Sequence, residues 1–234
     1  MFTKSAPFYD VIYSFKDYQA EAQHLLEIIS EHLQSGGERL LDVACGTGKH
    51  LEFLKEEYQV EGLDLSLELL DIAQERTPDV LYHHADMMDF DLGREFNVVT
   101  CLFSSIGYVK TLDNLNRAVK CMSNHLIAGG ILIIEPWFTP DSWNPGTVHA
   151  NFIDEPELKI ARINNSCVEG KLSFFDFHYL IGTPEGVEYF VERHELGLFE
   201  KEEMSEAMKK SGLEVIYDDK GLTGRGLFIG LKPR

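Results

Sequence analysis

Residues 40–50 read LLDVACGTGKH: an apolar run, a carboxylate at Asp42, and a short turn built on Gly46 and Gly48. The run predicts a strand. The glycines let its end turn sharply and bring bare backbone up to a ligand at the carboxyl end of the strand, where open α/β sheets bind. A dinucleotide fingerprint, G-x-G-x-x-G, would place a third glycine where this chain has Leu51, and no G-K-[ST] follows for a nucleoside triphosphate. Asp42 would also oppose a phosphate seated on the turn. The ligand suited to this stretch has a nucleoside, a cationic end and no phosphate.

S-adenosylmethionine (SAM) has those parts, with an ammonium and a sulfonium that Asp42 can favour directly or through water. Two further stretches extend the reading. VEGLDLS ends a second strand at Asp64, 18 residues after Gly46, where a carboxylate can accept both ribose hydroxyls. Asp64 could instead cap the next helix, but Ser66 is placed for that task. HHADMMDF follows a third strand and offers Asp86 to the adenine amino group, with Met87 and Met88 as polarizable contacts to the ring.

Outward from the turn, short apolar runs alternate with helical patterns. RLLDVA, YQVEGLDL, VLYHHAD, FNVVTCLF and GGILIIEPW are expected strands. Helices are expected at about 49–57, from Ser66, and over 113–126, and residues 17–34 predict an amphipathic helix with Ala22, Leu25, Leu26, Ile29 and Leu33 on one face. The alternation points to a parallel, doubly wound sheet. After Trp137 the texture changes to β-branched and aromatic segments separated by turns, which predicts an inserted antiparallel sheet. A helix over about 200–211 and the runs LEVIYD and RGLFIGL then return the chain to the edge of the main sheet. The expected fold is therefore α/β, a doubly wound and mostly parallel seven-stranded sheet with an antiparallel insert. The expected division is 1–137 for the ligand-binding part and its N-terminal helical cap, 138–199 for the insert, and 200–234 for the return.

The chain has 234 residues, 44% of them apolar, enough for one full core. Its net charge of −18 argues against a nucleic-acid partner, whose affinity comes from Lys and Arg on phosphates. No apolar run is long enough to span a bilayer and no leader is evident, so no membrane partner is expected. Cys45, Cys101, Cys121 and Cys167 are scattered, without metal-ligand spacing or a secreted disulfide pattern. Reduced thiols, a cytoplasmic setting and no metal site are expected.

The three stretches LLDVACGTGKH, VEGLDLS and HADMMDF, in this order and spacing, resemble the motifs of Rossmann-like SAM-dependent methyltransferases. A closer resemblance runs over nearly the whole chain through YDVIY, KDY, SSIGY, IEPWFTP, HELGLF and GRGLFIG. It is to the nucleotide-linked 3-amino-sugar N-methyltransferases, which act on dTDP-amino-deoxyhexoses and carry an inserted sheet as a wall over the acceptor. One departure is that YSFKDY is shorter than the family's glycine-containing version and lacks its arginine.

The resemblance implies SAM as cofactor, S-adenosylhomocysteine as product, and roles for particular residues. Tyr13 and Tyr108 would position the amine, with His178 as a proton acceptor. Cofactor contacts would come from Tyr18, Asp42, Ala44, Gly46, Gly48, Asp64, Leu65, Asp86, Met87, Leu102 and Phe103. Acceptor contacts would come from Ser104, Ser105, Trp137, Phe177 and Arg225, the last meeting the diphosphate. From the residues alone, Tyr13 and Tyr18 could equally be core tyrosines, Trp137 and Phe177 could fill a sheet interface, and His125, His178 and His194 could be structural or surface histidines. Two rival functions stay open: methylation of another small N or O acceptor, and SAM binding without turnover. Edge strands of the insert could pair between subunits, so a homodimer is also open.

Overall fold

A computed structural model describes residues 3–234. A short 3₁₀ turn, Ala6–Phe8, leads into α1 (Tyr9–Ile12) and α2 (Tyr18–His32). Asp17 begins α2 by accepting from the Ala20 amide at 2.9 Å, and Ala22, Leu25, Ile28 and Ile29 form its buried stripe. The chain then alternates β1 (Arg39–Val43), α3 (Lys49–Leu54), β2 (Gln59–Asp64), α4 (Leu67–Arg76), β3 (Leu81–His84), β4 (Phe96–Cys101), α5 (Leu112–Asn124) and β5 (Leu126–Ile134). The insert follows as β6 (Val148–Glu155), β7 (Leu158–Asn165), β8 (Cys167–Glu169), β9 (Leu172–Thr183) and β10 (Gly186–Gly197). Then α6 (Lys201–Lys210), β11 (Glu214–Asp218) and β12 (Leu227–Leu231) close the chain.

The main sheet has the order β11-β12-β5-β4-β1-β2-β3. Strands β1 to β5 are parallel, and β12 joins β5, and β11 joins β12, antiparallel. The alternation of β1 explains the two-faced core. Leu40 packs with α2 and α3 on one face, while Leu41 and Val43 pack with α5 and α6 on the other. The order reverses between β1 and β4, and a crevice opens there at the carboxyl ends of the strands.

The insert is a separate antiparallel sheet, β10-β9-β7-β6, with β8 on β9. Phe175, Phe177, Tyr179, Ile160, Phe190 and Leu196 form its inner face and pack against Phe8, Val11, Ile12, Tyr13, Tyr108 and Trp137. The N-terminal segment is held beneath it by the Glu192 carboxylate. That group accepts from the amides of Thr3, Lys4 and Ser5 at 3.0, 2.8 and 3.2 Å and from the Ser5 hydroxyl. Among the described residues, no helix is long and apolar enough to cross a membrane.

Candidate active site

The first βα turn is wound left-handed at Ala44, Gly46 and Gly48, with φ of 61°, 57° and 71°. The two glycines answer different demands. A Cβ on Gly46 would meet no heavy atom within 4 Å, so its open side faces the crevice, whereas a Cβ on Gly48 would lie 2.7 Å from the Tyr82 hydroxyl and 3.2 Å from Ala73. Gly48 is therefore required by packing against α4 and β3. Gly46 lines the crevice and Gly48 does not.

Asp64 braces the turn. Its carboxylate accepts from the Gly46 amide at 2.8 Å and the Ser66 amide at 2.9 Å, while Ser66 caps α4 through the Leu69 amide. Burial raises the Asp64 pKa, and these amides oppose that rise. Each oxygen keeps a further lone-pair position for a ligand hydroxyl. Beside it, a cleft of about 680 Å³ is lined by Ala44, Gly46, Leu65, Asp86, Met87, Met88, Ser105, Tyr9 and Tyr108. Asp86 is held toward this cleft by accepting from the Met88 amide at 2.9 Å.

Asp42 lies at the floor of the adjoining recess, with Tyr18, Ala44, Gly46, Leu102 and Phe103. It is 2% exposed and accepts from the Thr100 hydroxyl at 2.7 Å. Burial pushes its carboxyl up to about 6, so an incoming cation would stabilise the charged form. The turn is roofed by α1. The Thr47 hydroxyl donates to Asp10 at 2.7 Å, and Arg76 donates both to Asp10 and to the Thr47 carbonyl. An apolar slot with the Asp64 and Asp86 carboxylates along it and buried Asp42 in the adjoining recess fits an adenosyl cation.

A second cleft, of about 800 Å³, is lined by Tyr13, Phe15, Phe103, Trp137, Phe175, Phe177, Leu196 and Arg225. It shares Tyr9, Ser105 and Tyr108 with the first cleft, so these three stand at the junction of the two. The Tyr108 hydroxyl lies 2.7 Å from His194 Nδ1. Burial drives the Tyr108 pKa well up and holds His194 down at about 4, which leaves both uncharged at neutral pH. Arg225 donates to the Ser104 hydroxyl at 2.6 Å and lies 5.6–5.8 Å from the Phe103, Trp137 and Phe138 rings. Arg162 donates to the Tyr13 hydroxyl at 3.0 Å and to Asn151 at 2.8 Å, with its guanidinium 4.5 Å from the Phe177 ring. Buried Glu135 holds the loops that carry these groups, accepting from the Phe103 amide at 2.7 Å and the Thr223 hydroxyl at 2.5 Å.

Two expectations change. His178 is on the outer face of the insert, exposed and bonded to the Tyr189 hydroxyl at 2.7 Å. The clefts are lined by its neighbour Phe177, because successive strand residues point to opposite faces. His178 is therefore withdrawn as proton acceptor. Ser104 is 1% exposed, and its hydroxyl is engaged by the Pro136 carbonyl at 2.7 Å and by Arg225, so it supports Arg225 from behind the wall. The sequence reading gave no site role to Tyr9, His194 or Arg162. YDVIY contained the signal for the first, since Tyr9 and Tyr13 lie four residues apart on one helical turn with rings 4.6 Å apart. Nothing local marked the other two.

Comparison with known proteins agrees with this geometry. The family described as "Methyltransferase domain" matches residues 40–130. The dTDP-3-amino-3,4,6-trideoxy-alpha-D-glucopyranose N,N-dimethyltransferase of Streptomyces venezuelae is 40% identical over 97% of this chain and 97% of its own. The dTDP-4-amino-2,3,4,6-tetradeoxy-D-glucose N,N-dimethyltransferase of Saccharopolyspora spinosa is 39% identical over 97% of this chain and 92% of its own. The SAM-bound structure of CalS10, an amino pentose methyltransferase from Micromonospora echinaspora, superposes with a TM-score of 0.87 at 36% identity, covering 96% of each chain. The chain belongs to the Rossmann-like, SAM-dependent methyltransferase family that includes the dTDP-amino-sugar N,N-dimethyltransferases.

Proposed function

We propose that this chain N-methylates the amino group of a dTDP-linked amino-deoxy sugar. The observation that carries the acceptor class is a pair of arginines: Arg225 lines the second cleft, and Arg162 lines a neighbouring one that shares Trp137, Phe175 and Phe177 with it. Each is bonded to neutral partners and neither ion-pairs with a carboxylate among the described residues, in a chain of net charge −18. Arg162 is buried and Arg225 half-buried; cations held in a cleft without a counter-charge suit an anionic ligand, and a diphosphate supplies one with bidentate geometry. Trp137, Phe175 and Phe177 offer flat apolar faces to the rest of the ligand.

SAM, when bound, supplies an electrophilic methyl group on a sulfonium. This chain's residues then orient and exclude water. Asp64 and Asp86 fix the nucleoside end, Asp42 favours the cationic end, and Tyr13 and Tyr108 hold the amine at the junction. Alignment of this kind is worth up to about 10 kcal/mol of barrier, so no strong base is required. On this reading residues 1–137 and 200–234 carry the cofactor and 138–199 wall the acceptor site.

Mass spectrometry of the protein with SAM and a panel of dTDP-3-amino and dTDP-4-amino sugars tests the reading. A gain of one or two methyl groups on an amino sugar is expected. SAM binding with no gain on any of them would refute it in favour of another small acceptor or of binding without turnover.

The molecule is further proposed to be a homodimer through the outer face of the insert. Phe152, Leu180 and Tyr189 lie in register across β6, β9 and β10 and are 70%, 49% and 61% exposed, an apolar stripe that a second copy would cover. Light scattering is expected to give a dimer that Leu180→Glu dissociates, and a monomeric wild type would refute this. The four cysteines are free thiols, which suits a cytoplasmic setting.

A further inference from the structure

At the junction of the clefts, the Tyr108 hydroxyl and His194 Nδ1 are 2.7 Å apart. His194 is 1% exposed and fixed by rings on two sides, stacked on Phe175 at 5.8 Å and edge-on to Phe177 at 5.0 Å. Those rings fix the plane of the imidazole, and Nδ1 faces the Tyr108 hydroxyl. Of the two ways to share one proton in this bond, donation by the phenol is favoured. A phenol is the more acidic donor, and an imidazole nitrogen is the more basic acceptor. Tyr108 is the member of the pair that reaches both clefts.

The direction of this bond matters to methyl transfer. An amine attacks through its lone pair. A tyrosine that donated to the amine would occupy that lone pair and suppress the attack. A tyrosine that accepts an N–H from the amine leaves the lone pair free and helps aim it.

We propose that His194 is a positioning residue whose Nδ1 takes the Tyr108 proton, so that the Tyr108 oxygen can only accept an N–H and the amine lone pair stays directed at the methyl group. This deepens the amine-acceptor reading and rests on it. The nitrogen lone pair forms the new C–N bond as the C–S bond breaks, sulfur keeps that bond's electron pair, and the ammonium product gives one proton to water. Its consequence is a count of N–H bonds. A primary amine and its monomethyl product each have an N–H to offer Tyr108 while attacking, but a dimethylamine, once neutral, has none. The pair therefore holds the acceptor through two transfers and loses its grip after the second.

Two experiments test this. Long-range ¹H–¹⁵N spectra of ¹⁵N-histidine-labelled protein without ligands, with His194→Phe to assign the signal, should show His194 unprotonated at Nδ1. A proton on Nδ1 or an imidazolium at neutral pH would overturn the proposal. In kinetics, His194→Phe and Tyr108→Phe should each lower turnover about 10- to 100-fold, the worth of one oriented hydrogen bond, with SAM affinity unchanged. The double variant should be no slower than Tyr108→Phe, and His194→Asn, whose side-chain oxygen stands near the Nδ1 position, should recover part of the loss. Multiplying losses in the double variant would overturn the proposal. If no amine is methylated while the spectrum shows the expected tautomer, the amine reading fails and the Tyr108–His194 pair stands. A proton on Nδ1 with amine turnover intact overturns this inference alone.

Discussion

Replacing Asp42 by Asn should stabilise the ligand-free protein at neutral and higher pH and weaken its hold on SAM. The carboxyl is raised from 3.8 to about 6, burial being the largest cause, and at about 1.4 kcal/mol per tenfold change the rise corresponds to about 3 kcal/mol. The sign follows from proton counts. Between about pH 4 and pH 6 the unfolded chain has lost the Asp42 proton while the folded chain still holds it, so wild-type stability falls as pH rises through this window and stays lower above it. Asn has no such loss and can still accept from Thr100. Urea unfolding at about pH 4 and pH 8 should therefore show no gain for Asp42→Asn at the lower value and a gain of about 3 kcal/mol at the higher one. Other carboxylates cancel in the comparison between the two proteins. Calorimetric titration at pH 8 should find SAM binding weakened about 10- to 100-fold, the worth of a charge-assisted contact. An equal pH dependence of stability in the two proteins would refute the reasoning.

Gly46→Ala and Gly48→Ala separate ligand access from packing. Gly48→Ala, at φ 71° with Tyr82 and Ala73 in the way, should cost about 2–3 kcal/mol of stability, whereas Gly46→Ala should cost about 1–2 kcal/mol and weaken SAM binding at least about 10-fold. Equal losses in both assays would contradict the assignment. Arg225→Met should raise the KM for a nucleotide-linked acceptor about 10- to 100-fold with SAM affinity unchanged; a fall in SAM affinity of the same size would count against a diphosphate role. Glu192→Gln replaces charge-assisted acceptance of three amides and should speed hydrogen exchange over residues 5–12, reflecting a loss of about 1.5–3 kcal/mol. Unchanged exchange there would show that other contacts hold the N-terminal segment.

How much of the architecture could be read in advance depends on how local each signal is. The strand at 39–43 and its glycine turn, the Ser66 cap and the apolar stripe of α2 are set by residues within a few positions of one another, and they stand where the periodicity placed them. Boundaries were less legible. The helix expected to reach residue 57 stops at Leu54, because Lys55–Tyr58 turn back on the helix end to enter β2. The turn–acid–acid sequence of Gly46, Asp64 and Asp86 was legible because each residue ends or follows a strand of one parallel sheet, and parallel neighbours bring their carboxyl ends to the same edge.

The insert shows the opposite case. Its strands could be counted from composition and turns, but β9 and β10 carry apolar residues on both faces, with Phe175, Phe177 and Tyr179 on one side and Leu180, Tyr189 and Val191 on the other. Period-two alternation states which residues share a face and leaves open which face turns inward, so His178 and His194 were indistinguishable in the sequence. Tertiary packing alone decided that His194 meets Tyr108, 86 residues away, that Arg162 meets Tyr13 across 149, and that Arg225 meets Ser104 across 121. The sequence by itself determined the strand-and-helix order, the glycine turn and the acids at the carboxyl ends of the next two strands, since these are short-range patterns of burial and hydrogen bonding. The second cleft was decided only when two sheets and the N-terminal helix closed on one another, because its geometry belongs to contacts between segments whose separation along the chain encodes nothing about their approach.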